Sequence, residues 1–194
     1  MAVRTDANEI LDAAAACIAR FGLGKTTLDD VAKAAGCSRA TVYRLFPGKQ
    51  QLLGAYVARE ANALGEHLMR AVADATELGE AAALVISEGT RYLTEHRALA
   101  FVATHEPELI LPYLAFERES ALLRAAADLV APAFTAFLPV ELANRLAEWV
   151  ARMTLSYLFC PSEHLDVADL AQVRALVEEF VLPSVSLATL GRSQ

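Results

Sequence analysis

Residues 26–46 constrain the fold of this chain more than any other segment. They are TTLDDVAKAAG followed by CSRATVYRLF, which is typical of two short helices separated by a glycine. Leu28, Val31 and Ala32 recur at helical spacing and predict an inward face on the first helix. Gly36 lies where the chain must reverse, in a conformation that costs glycine little. The segment therefore predicts a helix-turn-helix, whose second helix can enter the DNA major groove.

Polar residues at the expected helix starts support this interpretation. Thr27 can accept a hydrogen bond from a free N–H group of the first helix, and Asp30, three residues later, approximates a capping box. Asp29 and Asp30 also suit the positive end of the helix dipole. Ser38 is the predicted cap of the second helix.

The second helix carries polar residues that can contact nucleic acid: Arg39, Thr41, Tyr43 and Arg44. Arginine pairs well with guanine and the threonine methyl group can meet a thymine methyl group, so we expect Arg39 and Thr41 to read bases. Arg44 can contact either a base or a phosphate. The alternative is an ordinary helical hairpin with no role on DNA, and this polar face counts against it.

The N-terminal part of the chain resembles the TetR family of one-component transcriptional regulators. The resemblance covers about the first 55 residues: an opening helix over 10–22, then TTLDDVA, AGCS, TVY, FPGK and the pair Leu52-Leu53. It implies an all-α fold, with an N-terminal three-helix helix-turn-helix DNA-binding domain (residues 1–50). A larger helical domain (residues 51–194) would bind an effector and form the dimer.

The resemblance also implies that Thr27, Tyr43 and Lys49 contact phosphates. Lys49 opens a long predicted helix, whose free N–H groups can hold an anion. The chain departs from the family pattern at Ala40, Leu45 and Gln50. Leu45 stands where the family often has a His or Tyr that touches the DNA backbone.

The charge distribution agrees with a DNA-binding N-terminal region. The net charge is −7, but residues 1–50 carry seven Lys or Arg against five Asp or Glu, whereas residues 51–194 carry ten against nineteen. Lys25, Lys33 and Lys49 are the three lysines of the chain. The basic charge is thus concentrated where phosphates would lie, and the acidic remainder limits indiscriminate binding.

Other functional classes find little support. Neither the three cysteines nor the four histidines have the spacing of a metal site or a disulfide framework, so we expect no metal and no cofactor; these residues are Cys17, Cys37, Cys160, His67, His96, His105 and His164. A redox role for Cys37 or Cys160 stays open. With no catalytic constellation, no secretory signal and no long apolar run, we expect a cytoplasmic protein that is not an enzyme and does not bind membranes.

Beyond residue 50 the sequence indicates helices separated by Gly and Pro. We expect them over residues 49–73, 80–96, 97–105, 113–131, 140–158 and 167–190, with a kink at Pro183. Aromatic residues in the middle of this region suit the walls of a pocket for a small apolar or amphipathic effector. The predicted ligand-binding residues are Tyr92, Phe101, His105, Tyr113, Phe116, Trp149 and Tyr157. A plain core explains the same residues, and His105 with Glu106 can also be surface charges.

The last two helices are apolar on more than one face, whereas a monomer needs one apolar stripe per helix. The surplus predicts a second buried face, formed with a partner helix. The TetR resemblance implies a four-helix dimer interface at this place. The predicted interface residues are Leu146, Val150, Val173, Val177 and Phe180. Deeper burial within one chain is the alternative.

These features together predict a homodimeric, ligand-responsive repressor that binds double-stranded DNA at a near-palindromic operator. Two copies of the second hairpin helix would occupy successive major grooves. An activator of the same fold and a helical adaptor that binds protein are the alternatives.

Overall fold

The computed structural model describes residues 6–106, 108, 121–183 and 185, and in these residues it contains helices and no strand. The α-helices are α1 (Ala7–Phe21), α2 (Leu28–Ala34), α3 (Arg39–Leu45), α4 (Lys49–Ala71), α5 (Leu78–Glu95), α6 (Arg97–His105), α7 (Ala121–Val130), α8 (Val140–Phe159) and α9 (Leu170–Leu176). A 3₁₀ turn, Ala131–Phe134, follows α7, and a π-helical turn, Val177–Val181, continues α9. The predicted all-α fold is confirmed.

The predicted limits of α4, α5, α6 and α8 hold to within about two residues, as expected for helix ends. The last helix differs, since it begins at Leu170 and not at Val167. The Asp169 carboxylate caps it by accepting hydrogen bonds from the N–H groups of Ala171 and Gln172. These two bonds, the one from Gln172 first, hold the pKa of Asp169 below its ordinary value.

The chain forms two compact units. The first comprises the described residues of Met1–Ala63 and Thr94–Ala115, and the second those of Leu64–Leu93 and Phe116–Gln194. This division differs from the expected boundary after residue 50. The first unit includes the start of α4 and all of α6, because α6 packs along α1.

The first unit is built around the helix-turn-helix. Ile10 and Ala14 of α1 are fully buried, as are Val31 of α2 and Val42 of α3. The core also takes Leu52 and Tyr56 from α4 and Ala98 and Val102 from α6. One inward face per helix is thus enough to hold the hairpin against α1 and α4.

The second unit has a core of small and branched residues. Ala81 and Ala83 of α5 and Ala143 and Ala147 of α8 are fully buried, which lets helices approach closely. Phe134, in the 3₁₀ turn, is the largest fully buried side chain among the described residues. Its cluster includes Val150, Val173 and Val177. No described helix is both long and apolar enough to cross a lipid bilayer.

Candidate nucleic-acid interface

The first hairpin helix begins with the capping box that the sequence predicts. The Thr27 hydroxyl oxygen accepts a hydrogen bond from the Asp30 N–H at 3.2 Å, and the Asp30 carboxylate accepts one from the Thr27 N–H at 3.1 Å. The Thr27 hydroxyl, followed by the Thr27 N–H, holds the pKa of Asp30 below its ordinary value. This reciprocal bonding fixes the start of α2 and leaves Thr27 exposed.

The turn between the two helices is set by one glycine. Gly36 has φ +63°, a left-handed conformation that other residues adopt at a cost. The Cys37 N–H donates to the Ala32 carbonyl at 3.0 Å, which closes the end of α2. The Ser38 hydroxyl then accepts from the Thr41 N–H at 3.1 Å and caps α3, as predicted.

Helix α3 has one buried side and one exposed side. Val42 is completely buried, whereas Arg39, Tyr43 and Arg44 are exposed and Thr41 is half-buried at the edge. Val42 thus anchors α3 while the predicted contact residues stay accessible. A helix with this division can lie in a groove without losing its place in the core.

The Arg39 side chain is held in a defined position on this exposed face. Its Nε lies 2.7 Å from Oδ1 of Asp29, which belongs to α2. Its Nη2 donates to the Tyr43 hydroxyl at 3.4 Å, and its guanidinium carbon lies 5.4 Å from the centre of the Tyr43 ring. The Tyr43 hydrogen bond, followed by the charge of Asp29, raises the pKa of Arg39. The local sequence predicts a helix-dipole role for Asp29 but does not predict this pairing.

Two charged side chains hold the turn between α1 and α2. Lys49 Nζ donates to the carbonyl oxygens of Leu23 at 2.7 Å and Gly24 at 2.9 Å. The Glu106 carboxylate accepts from the N–H groups of the same two residues, at 2.5 and 3.1 Å. Gly22 is needed here because it has φ +88° and a Cβ would lie 2.7 Å from the Glu106 carboxyl carbon. Glu106 is therefore not the free surface charge that the sequence suggested.

Known proteins resemble this chain in its N-terminal helices and also over nearly its whole length. The family model described as bacterial regulatory proteins, tetR family, matches residues 10–56, from α1 into α4. The HTH-type transcriptional regulator Rv1255c of Mycobacterium tuberculosis is 37% identical over 185 residues, which cover 94% of this chain and 87% of that protein.

The chain belongs to the tetR family of bacterial regulatory proteins. It is a DNA-binding transcriptional regulator with an N-terminal helix-turn-helix domain. A further relative, the HTH-type transcriptional regulator AlkX of M. tuberculosis, is 31% identical over 86% of this chain and 82% of its own length.

Solved structures share the fold over nearly the whole chain. The repressor AlkX from Dietzia sp. aligns with a TM-score of 0.63 and 24% identity, covering 91% of this chain and 94% of that one. FadR from Bacillus subtilis, solved in complex with stearoyl-CoA, aligns with a TM-score of 0.59 and 20% identity over 91% and 98% of the two chains. These likenesses show that the chain shares the fold of both proteins.

The predicted effector residues of this tetR-family member fall in both compact units. Phe101 and His105 belong to the first unit, where their rings stack with centroids 4.4 Å apart and His105 is exposed. Tyr92, Trp149 and Tyr157 belong to the second unit. Tyr92 packs on His67, and Tyr157 packs against the core, while Trp149 is 37% exposed. Tyr113 and Phe116 lie outside the described residues.

A cavity of about 360 Å³ in the first unit has Phe101 in its wall, together with Arg20, Phe21, Lys25 and Asp30. A single effector pocket formed by all of the predicted ligand-binding residues stays a prediction.

The predicted dimer residues differ in exposure. Leu146, Val150, Val173 and Val177 are buried in the core of the second unit within a single chain. The apolar surplus at these four positions is accounted for by intrachain packing, which is the alternative the sequence left open. Phe180 is 61% exposed, so it offers apolar surface to a partner. The dimer interface itself stays a prediction.

The position of Lys49 leads to a paired prediction. An ammonium group has three N–H donors, and two of them bind the α1–α2 turn here. If the third binds a phosphate, Lys49→Ala weakens all DNA sequences about equally. It also makes the dependence of log Kd on log salt shallower by about one phosphate per subunit. Fluorescence anisotropy titrations at salt concentrations from about 50 to 200 mM measure this slope.

Glu106→Ala is the matched control, because it loosens the same turn and removes no positive charge. We expect it to weaken binding without making the salt slope shallower, because the charge that it removes is negative. Equal slopes for the two variants would mean that Lys49 acts through the turn and not through a phosphate.

Proposed function

We propose that this regulator is a homodimeric repressor that binds a near-palindromic operator through α3 and is released by a small effector. The observation that carries the proposal is the division of α3, with Val42 buried and Arg39, Tyr43 and Arg44 exposed. The seven residues of α3 form a helix that is about 10–12 Å across with its side chains, which fits the major groove, about 12 Å wide.

Each contact residue has a role that its position supports. Arg39 is the first residue of α3, and residues near the start of a recognition helix are those that reach base edges. Thr41, two residues further along α3, meets a thymine methyl group. Tyr43 and Lys49 hold phosphates, and Arg44 reaches either a base or the backbone. Thr27 holds a phosphate when its hydroxyl, which donates to Asp30 in this structure, exchanges that bond for one to DNA.

Two copies of α3 related by a two-fold axis read two half-sites about one helical turn apart. Selection of bound sequences from random duplexes by the full-length protein tests this arrangement. We expect a near-palindromic site whose affinity falls steeply with salt. A protein-binding adaptor would enrich no sequence. An in vitro transcription assay on the selected site separates repressor from activator by the sign of the effect.

The effector part of the proposal predicts a measurable coupling. A ligand releases DNA only when it binds the non-binding state more tightly, and such couplings are typically about 1–3 kcal/mol. We therefore expect a saturating effector to lower operator affinity by roughly 5-fold to 150-fold. Operator DNA must weaken effector binding by the same factor.

The relatives suggest the first probes for this measurement. FadR of B. subtilis was solved with stearoyl-CoA, and AlkX of Dietzia sp. is implicated in biodegradation of n-alkanes. A thermal-shift screen with long-chain acyl-CoAs and alkanes, followed by operator titrations with each hit, covers this aliphatic class. A hit that raises thermal stability and leaves operator affinity unchanged would contradict the release mechanism for that ligand.

A further inference from the structure

A planar guanidinium offers two pairs of N–H groups that can bind one base or carboxylate. The side pair consists of Nε–H and one Nη2–H, and the end pair of Nη1–H and the other Nη2–H. In Arg39 the two nitrogens of the side pair, Nε and Nη2, are engaged by the protein itself. Nε lies 2.7 Å from Asp29 Oδ1, and Nη2 donates to the Tyr43 hydroxyl at 3.4 Å.

The three groups come from both helices of the hairpin. Asp29 is in the first turn of α2, Arg39 opens α3, and Tyr43 follows one turn later on α3. The guanidinium also lies over the Tyr43 ring, which restricts its rotation. The long Arg39 side chain is thus held from two directions.

Stability of the fold does not explain this arrangement. The side chains of Arg39 and Asp29 are 64% and 53% exposed, and ion pairs as exposed as this contribute little to folding. An ordered Arg side chain matters more for binding, because side-chain freedom that is lost before binding is not lost during it.

We propose that Asp29 is a positioning residue that turns the end pair of Arg39 outward, where it can bind O6 and N7 of one guanine in each half-site. The inference rests on the proposed role of Arg39 as a base reader. Asp29 itself need not touch DNA for this effect. Specificity at one base pair is then set by a residue of α2 through a residue of α3.

The negative charge of Asp29 predicts a distinctive pair of effects when this residue is replaced. A carboxylate on the DNA-facing surface repels phosphates, so it lowers affinity for every sequence. Its removal should therefore have two opposite effects. Binding to non-specific DNA becomes tighter, and discrimination in favour of guanine at the Arg39 position becomes weaker.

The experiment uses the full-length protein with the variants Asp29→Ala, Asp29→Asn, Arg39→Ala and Asp29→Ala/Arg39→Ala. Affinities are measured for the selected operator, for operators with each other base at the guanine position, and for non-specific duplex. We expect Asp29→Ala and Asp29→Asn to reduce guanine discrimination roughly fivefold, equivalent to about 1 kcal/mol, and to tighten non-specific binding. Asp29→Asn preserves the size of the side chain and so guards against a folding defect.

Two comparisons complete the test. Asp12→Ala removes an exposed carboxylate that pairs with Arg59 elsewhere in the first unit, and it should leave guanine discrimination intact. In the Arg39→Ala background, loss of Asp29 should change discrimination no further, because Asp29 acts through Arg39.

The outcomes separate this inference from the proposed function. If Arg39→Ala abolishes guanine discrimination but both Asp29 variants retain it, Arg39 remains a base reader and the positioning role of Asp29 is wrong. If Arg39→Ala itself leaves discrimination unchanged, the proposed role of Arg39 fails and the inference fails with it. If Asp29→Ala alters base preference equally with and without Arg39, the carboxylate reads a base directly, as by accepting from cytosine N4, and the inference is overturned.

Discussion

Replacing Arg39 with alanine is expected to lower operator affinity by roughly 30-fold to 2 × 10⁴-fold in the dimer. A bidentate contact to guanine is worth about 1–3 kcal/mol, and a two-fold complex loses it twice. The variant should also bind operators with any base at that position about equally well. Anisotropy titrations of the operator and its single-base variants measure both effects.

Arg70→Ala is the control for this variant, since it removes the same charge from an exposed position on α4 in the second unit. We expect it to retain the base preference of the unmodified protein. The base-reading role of Arg39 is wrong if both variants lose the same small factor on every sequence. That pattern would indicate a general electrostatic contribution.

The second large effect is expected from Phe180→Glu. Phe180 is 61% exposed within a single chain and follows the buried Val173 and Val177 along the last helical segment. A carboxylate there would have to be desolvated in a dimer interface, which is costly when the charge has no partner. Sedimentation velocity should show monomers, and operator binding should weaken strongly because one subunit spans one half-site.

Val57→Glu is the matched control, because Val57 is 60% exposed and lies on α4. It should remain dimeric in sedimentation. An intact dimer for Phe180→Glu would place the interface elsewhere. Val177→Glu cannot serve the same purpose, since Val177 is fully buried and a charge there would disrupt the core before it reached any interface.

Most local features of the helix-turn-helix could be predicted from the sequence. The caps at Thr27 and Ser38 and the reversal at Gly36 depend on neighbours within four residues along the chain. Such short-range hydrogen bonds leave a clear signature in sequence. For the same reason, most helix limits were predictable.

Contacts between residues far apart in the sequence could not be predicted from local patterns. Glu106 meets the α1–α2 turn across more than eighty residues, and no local pattern marks it. The pairing of Asp29 with Arg39 left a weak signal, because opposite charges stand on the two arms of a predicted hairpin. Apolar periodicity alone did not separate Val177, which is buried within its own chain, from the exposed Phe180.

Methylation interference on the selected operator tests the reading of DNA by α3 most directly. Methyl groups on guanine N7 project into the major groove, where Arg39 would bind O6 and N7. We expect interference at two guanines, one in each half-site and about one helical turn apart. The same modification should have no effect on binding by Arg39→Ala. Interference that is absent for the unmodified protein, or that persists unchanged in Arg39→Ala, would contradict base reading by this residue.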